Sequence, residues 1–175
     1  MRSSHSTTLL ALSCIAALPL GAQQSRAVIS LLGYLAPFRI EDVAVPYSFD
    51  APASNVYSAV KASLAELKIP LTVDDTTARL VGNGRLEARA SFADLRLSRL
   101  FDCGASATGL NADTYRLSFV LLVLYDPDGP TRTKVQIGFI AGGQDLSGMS
   151  KVAVTCGSTG RFEEKVQGLI TKHLR

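Results

Sequence analysis

Hydrophobic and polar positions alternate most clearly between Thr114 and Tyr125. Tyr115, Leu117, Phe119, Leu121 and Val123 share one phase, with Arg116 and Ser118 on the other, the period-two pattern of a strand with one face on a core. The opposite phase turns apolar at Val120, Leu122 and Leu124, so that end of the strand is expected to be covered on both faces. Asp126-Pro127-Asp128-Gly129-Pro130 supplies a preset φ at proline and a permissive one at glycine, the chemistry of a tight turn. In the return strand, Thr131–Ala141, Val135, Ile137 and Phe139 alternate with Arg132, Lys134 and Gln136. The pattern predicts a long antiparallel hairpin with a core face and a cationic face.

Before the hairpin, Glu41–Phe49 reads as a strand whose Pro46 suits an edge, because proline donates nothing to a ladder. A helix then starts at Asp50–Ser54 and carries Val56, Val60, Leu64 and Leu67 on one face, flanked by Tyr57, until Pro70. A strand is expected at Leu71–Val73, a turn at Asp74–Thr77 and another strand from Arg79, in which Asn83-Gly84 makes a tight turn or a bulge. Leu86, Ala88 and Ala90 alternate there with Arg85, Glu87 and Arg89, and Ala93–Asn111 reads as a long loop. After the hairpin come a glycine-rich connection at 142–148, a strand at Lys151–Cys156 and a closing helix with Phe162, Val166, Leu169 and Ile170 as its stripe. Glu163 stands three residues after Gly160, the place of a capping carboxylate. The order β-α-β-β-loop-β-β-β-α over residues 39–175 predicts a single α+β domain. It should hold an antiparallel sheet of five to six strands with two helices on one face. Residues 23–38, broken by Gly33 and Pro37, read as an apolar tether, a short helix packed on the core, or a sticky surface that docks on a membrane or partner.

Part of this pattern resembles helix-grip domains, in particular the modules of BamC-like outer-membrane lipoproteins. The resembling residues are Asp50-Ala51-Pro52, Val56-Tyr57, Val60, Leu64 and Leu67, followed by Ile69, Asp74-Asp75 and Leu80-Val81-Gly82. They cover about a third of the chain and are structural residues. The resemblance implies the fold and an envelope scaffold role; the wider helix-grip class implies a lipid-binding cavity between helices and sheet. A second copy of the module and a lipobox are missing here, and a disulfide is not part of that pattern.

Export is expected on other grounds too. Arg2, the apolar run Leu9–Leu20 and the small residues of Leu20-Gly21-Ala22 form a signal peptide over residues 1–22. The run is about twelve residues, short of the roughly 20 that span a bilayer, and no later stretch is long enough, so the mature chain should have no transmembrane span. A lipidated Cys14 would want a branched aliphatic residue where Ala11 stands. The formal net charge is +3, and loss of Arg2 lowers it by one, which argues against nucleic acid as a partner. Export leaves Cys103 and Cys156, an even number that reads as one disulfide in an oxidising, periplasmic or secreted location.

Chemistry-bearing residues are sparse. Cys156-Gly157-Ser158-Thr159-Gly160-Arg161 has the look of a phosphate cradle with a cysteine nucleophile, but cysteine and arginine are one residue too close and a histidine is missing. Asp126-Pro127-Asp128-Gly129 begins like a calcium loop whose later oxygen ligands are absent. Asp74 and Asp75 sit in an expected turn, where adjacent carboxylates point apart, and His173 is expected to cap a helix end. No metal and no cofactor is expected, and no enzyme site. The remaining candidate is a basic sheet face, with Arg85, Arg89, Arg116, Arg132 and Lys134 all on the polar phase and Glu87 the acid among them. Either it is an ordinary solvated face or it docks on an anionic lipid or glycan surface or an envelope protein. The sequence therefore reads as an exported, non-enzymatic envelope accessory or binding module, with a carrier of a small apolar ligand as the alternative.

Overall fold

The computed structural model describes residues 26–107, 109–146 and 152–175; the leader expected at residues 1–22 lies outside them. In chain order the main elements are β1 (Val45–Phe49), α1 (Ala53–Glu66), β2 (Val73–Asp75), β3 (Leu80–Arg89), β4 (Phe101–Asp102), β5 (Arg116–Pro127), β6 (Thr133–Gln144), β7 (Ala153–Ser158) and α2 (Arg161–His173). The strands form one antiparallel sheet of seven in the order β2-β3-β5-β6-β7-β4, with β1 also paired to β6. The protein is therefore α+β. The strand beyond the expected six is β4, only two residues long and too short to show a period.

The hairpin β5–β6 is the centre of the sheet, in unbroken register from Arg116 opposite Gln144 to Pro127 opposite Thr133. Its odd-numbered side chains face the two long helices. Leu117, Phe119, Leu121 and Val123 meet Val135, Ile137 and Phe139 there, under Val56, Val60 and Leu64 of α1 and Phe162, Val166 and Ile170 of α2. Each such side chain contributes about 1.5–3 kcal/mol when fully buried. Phe92, Phe101, Phe119, Phe139 and Phe162 fill the middle of this layer, with ring centroids 4.4–5.7 Å apart. On β3, Asn83-Gly84 is a bulge inside a longer strand, because the register against β5 slips between Phe119 and Leu121. Asn83 is buried and holds the bulge by donating to the Pro70 carbonyl at 2.7 Å and accepting from the Arg85 amide at 2.8 Å.

Residues 26–44 cover the other face. They form a small ribbon, Val28–Ile29 paired with Phe38–Arg39, followed by a 3-10 turn at Ile40–Asp42, which is neither a tether nor the short helix of the sequence reading. Ile40 is buried against Leu80, Val120, Leu122, Leu124 and Ile140, and Ile29, Leu31, Tyr34 and Phe38 pack around them. Those even-numbered positions are the ones whose polar phase fails in the sequence. Two glycines permit the close approach: a Cβ on Gly142 would stand 1.6 Å from the Leu32 carbonyl oxygen, and one on Gly33 2.5 Å from that of Val154. At the far end Arg26 donates to both carboxylate oxygens of Asp126, at 2.7 and 2.9 Å.

Three further boundaries move. The strand expected at Leu71–Val73 is Val73–Asp75, and Asp75 turns the chain by accepting from the Thr77 and Ala78 amides, each at 2.9 Å. The strand expected at Lys151–Cys156 is Ala153–Ser158. The expected loop Ala93–Asn111 is built from short ribbons and one-turn helices, and it contributes Leu97, Leu100 and Phe101 to the core. Its anchor is the bridge: the Sγ atoms of Cys103 and Cys156 are 2.00 Å apart, with both residues buried.

Candidate functional site

The five basic candidates do not form one cluster. Strand phase puts Arg85, Glu87 and Arg89 of β3, Arg116 of β5 and Lys134 of β6 on the face away from the helices. Along the strands, however, Arg116 is level with Gln144, whereas Lys134 is level with Asp126 at the turn end. At about 3.3 Å per residue those two rows are about 30 Å apart. Between them lies the apolar cluster under Ile40, covered by residues 26–44. Alternation alone identifies the face and says nothing about what lies over its middle.

At the turn end the cations are neutralised. Arg132 Nε lies 2.7 Å and Lys134 Nζ 3.7 Å from the carboxylate of Asp128, and the hydrogen bond from Arg132 is the main reason that its pKa falls below the ordinary carboxylate value. Asp126 in turn holds Arg26 and, at 3.4 Å, Arg79. A cleft of about 420 Å3 opens beside them, lined by Pro46, Tyr47, Ser48, Lys134 and Gln136. Its charges are already matched within the protein.

The opposite end is different. Arg116 is the direct cross-strand partner of Arg89 on β3, and Arg85 lies on the same exposed side of the bulge. Among the described residues no carboxylate comes within 4.0 Å of any of the three. Glu87 pairs across with Ser118 and stays outside that distance. Like charges directly opposite each other weaken a ladder, and no ion pair within 4.0 Å offsets that cost among the described residues. Three guanidinium groups offer a planar, multidentate grip on phosphate, sulfate or carboxylate oxygens.

Other polar clusters are tied up in the fold. Tyr57 donates its hydroxyl to Asp74 Oδ1 at 2.7 Å, while Lys61 Nζ donates to Asp74 Oδ2 at 2.8 Å and to Tyr57 Oη at 3.1 Å. The Lys61 hydrogen bond, then that of Tyr57, lowers the Asp74 pKa. The sequence reading missed this group, although Tyr57 and Lys61 stand four residues apart on one helix face. His173 stands in the last turn of α2, as expected, and its ring also lies 3.0 Å from Glu66, whose carboxylate Lys172 also holds. Glu163 is not a capping group. It is 1% exposed, accepts from the Ser158 hydroxyl at 2.8 Å, and has its pKa raised chiefly by burial. Cys156 is spent in the bridge to Cys103, so the loop through Arg161 offers no thiolate. Among the described residues no three metal-binding side chains come together, and no helix is long and apolar enough to cross a membrane. Compared with protein-family models and with curated proteins, the chain matches none.

Proposed function

We propose that this protein is an exported, non-enzymatic binding module of the cell envelope that docks on an anionic surface through Arg85, Arg89 and Arg116. The observation that carries the reading is the Arg89–Arg116 pair, two like charges face to face with no carboxylate of the described residues within 4.0 Å. A periplasmic or secreted location is supported by the buried bridge, since such bonds persist in oxidising compartments. The helix-grip likeness agrees with an envelope scaffold. The carrier reading needs room between helices and sheet, where five phenylalanine rings stand within contact of one another. The test is retention of the mature protein on immobilised anionic phospholipid and on an acidic polysaccharide at low salt. Arg89→Glu/Arg116→Glu should release it, as should added salt, while Arg132→Glu should change little because Arg132 is already paired. Retention indifferent to both the double reversal and salt would sink the proposal.

A further inference from the structure

The docking reading leaves open whether the anion sits on a glycan or on a lipid, and the tip of the N-terminal ribbon decides between them. Leu32-Gly33-Tyr34-Leu35-Ala36-Pro37 carries no charge. Its Leu35 is exposed to 106% of the reference value and Leu32 to 40%. Single exposed leucines are ordinary on a protein surface; this one lies wholly in water on a tip that the fold braces. Tyr34 stacks on Phe38 at 4.8 Å and donates to the Cys156 carbonyl at 3.4 Å, while Gly33 sits tight against Val154. The bracing holds the tip against the sheet and leaves Leu35 projecting.

The base of the tip approaches Arg116, and the tip itself runs out over β7 at the same end of the sheet. The Leu32 carbonyl lies over Gly142, Gly142 is the cross-strand partner of Ser118, and Ser118 is two residues from Arg116 on the same face. Strand spacing puts the Leu32 backbone about 10 Å from the Arg116 backbone. An uncharged apolar projection over β7 and three cations on β3 and β5, with no carboxylate within 4.0 Å among the described residues, thus lie at the same end of the sheet. A hydrated glycan offers nothing to a leucine, whereas a bilayer offers phosphate at its surface and hydrocarbon just below it. Apolar insertion or charge alone binds membranes marginally, and the two together bind stably.

We propose that the surface recognised is an anionic phospholipid bilayer, with Leu35 and Leu32 entering the acyl boundary while Arg85, Arg89 and Arg116 hold headgroup phosphates. This rests on the docking reading above. The protein has no tryptophan, so Leu35→Trp places a single fluorophore at the tip and Leu110→Trp, at another exposed leucine, places one elsewhere. The variants are mixed with phosphatidylglycerol vesicles with and without brominated acyl chains, with phosphatidylcholine vesicles, and with alginate as the acidic glycan. Leu35→Trp emission is expected to shift to the blue and to be quenched by the bromolipid, and Leu110→Trp emission to do neither. Leu32→Ala/Leu35→Ala should lower partitioning at least tenfold, and each arginine reversal should lower it about fivefold or more. Salt-sensitive binding to phosphatidylglycerol with an unshifted, unquenched Leu35→Trp would overturn insertion and leave docking standing. Arginine-dependent binding to alginate alone would overturn the lipid and likewise leave docking standing. Binding to neither would overturn both.

Discussion

At the entrance to α2, Ser158 donates its hydroxyl to Glu163 Oε2 at 2.8 Å, and the carboxyl it meets is buried. Burial raises the Glu163 pKa more than that hydrogen bond lowers it, so the folded protein holds this proton more tightly than the unfolded chain. The stability it contributes is fully present below the unfolded carboxylate pKa and is lost as pH rises through the folded value. Glu163→Gln keeps an oxygen for Ser158 and carries no charge. Its melting temperature should therefore gain on the wild type as pH climbs from about 4 to about 8, by about 2–4 °C for each kcal/mol of burial cost removed. Asp74, Asp128 and Glu66 have lowered pKa values from their cationic partners and act in the opposite sense, so the difference between the two proteins is the readout. Parallel pH profiles would contradict the assignment.

The bridge closes a separation of 53 residues, for which the chain-entropy account gives on the order of 4 kcal/mol. Cys103→Ala/Cys156→Ala should melt about 10 °C lower, with the segment around Leu97, Leu100 and Phe101 cut first by protease. Thiol titration of the exported, denatured and unreduced protein should find none of the pair free. Two free thiols would remove the bridge from the account.

Gly142→Ala should lift the N-terminal ribbon, because its Cβ would meet the Leu32 carbonyl and backbone cannot swing away as a side chain can. The expected cost is about 1–3 kcal/mol, accompanied by dye binding at the uncovered Val120, Leu122 and Leu124. Gly157→Ala, where a Cβ meets open space, is the control. Equal behaviour of the two would mean that residues 26–44 do not hold that face closed.

Arg116→Gln should stabilise the unliganded protein while weakening its attachment to anionic vesicles. Removing one of two like charges across a ladder should raise the melting temperature by about 1–2 °C at low salt, and the gain should fade as salt screens the pair. A lower melting temperature would show that Arg116 has a partner within the protein and take away the reason for the docking proposal.

The hairpin was legible because Tyr115 to Val123 keep one apolar phase and a proline–glycine turn separates the two strands, and α1 and α2 were legible from their stripes. Asn83-Gly84 left two options, and the register of β5 selects the bulge. What stayed hidden is what only tertiary partners can order. Gly33 and Pro37 read as breaks, yet Gly33 is where the ribbon touches Val154, and Ile40 disappears into a core that no local period announces. Between 90 and 94 the chain turns with Ala90, Ala93 and Asp94 at positive φ, residues that carry no glycine-like signal. The phase of the arginines was readable and their neighbours were not: alternation gives a face, but whether Asp128 reaches Arg132 while no carboxylate of the described residues reaches Arg89 depends on how far the strands run and what lies across them. Glu163 was misread because the capping pattern says nothing about burial.

The edges of the sheet bear on how such variants should be built. β2 covers β3 only from Leu80 to Gly82, so among the described residues the backbone from Arg85 to Arg89 faces no further strand. β1 carries Pro46, and β2 is three residues long. Growth by strand addition is thus discouraged at each place by a different device: a missing donor, a short run, or the alternating charges Arg85, Glu87 and Arg89. The same guanidinium groups that would meet phosphate also keep a second copy of the chain from pairing with β3. Neutralising Arg85 and Arg89 together would leave Glu87 as the one charge among them, weaken the defence of that edge and invite aggregation that mimics lost binding. Reversal to glutamate removes the attraction for an anionic surface and leaves the edge as repellent to another strand as before.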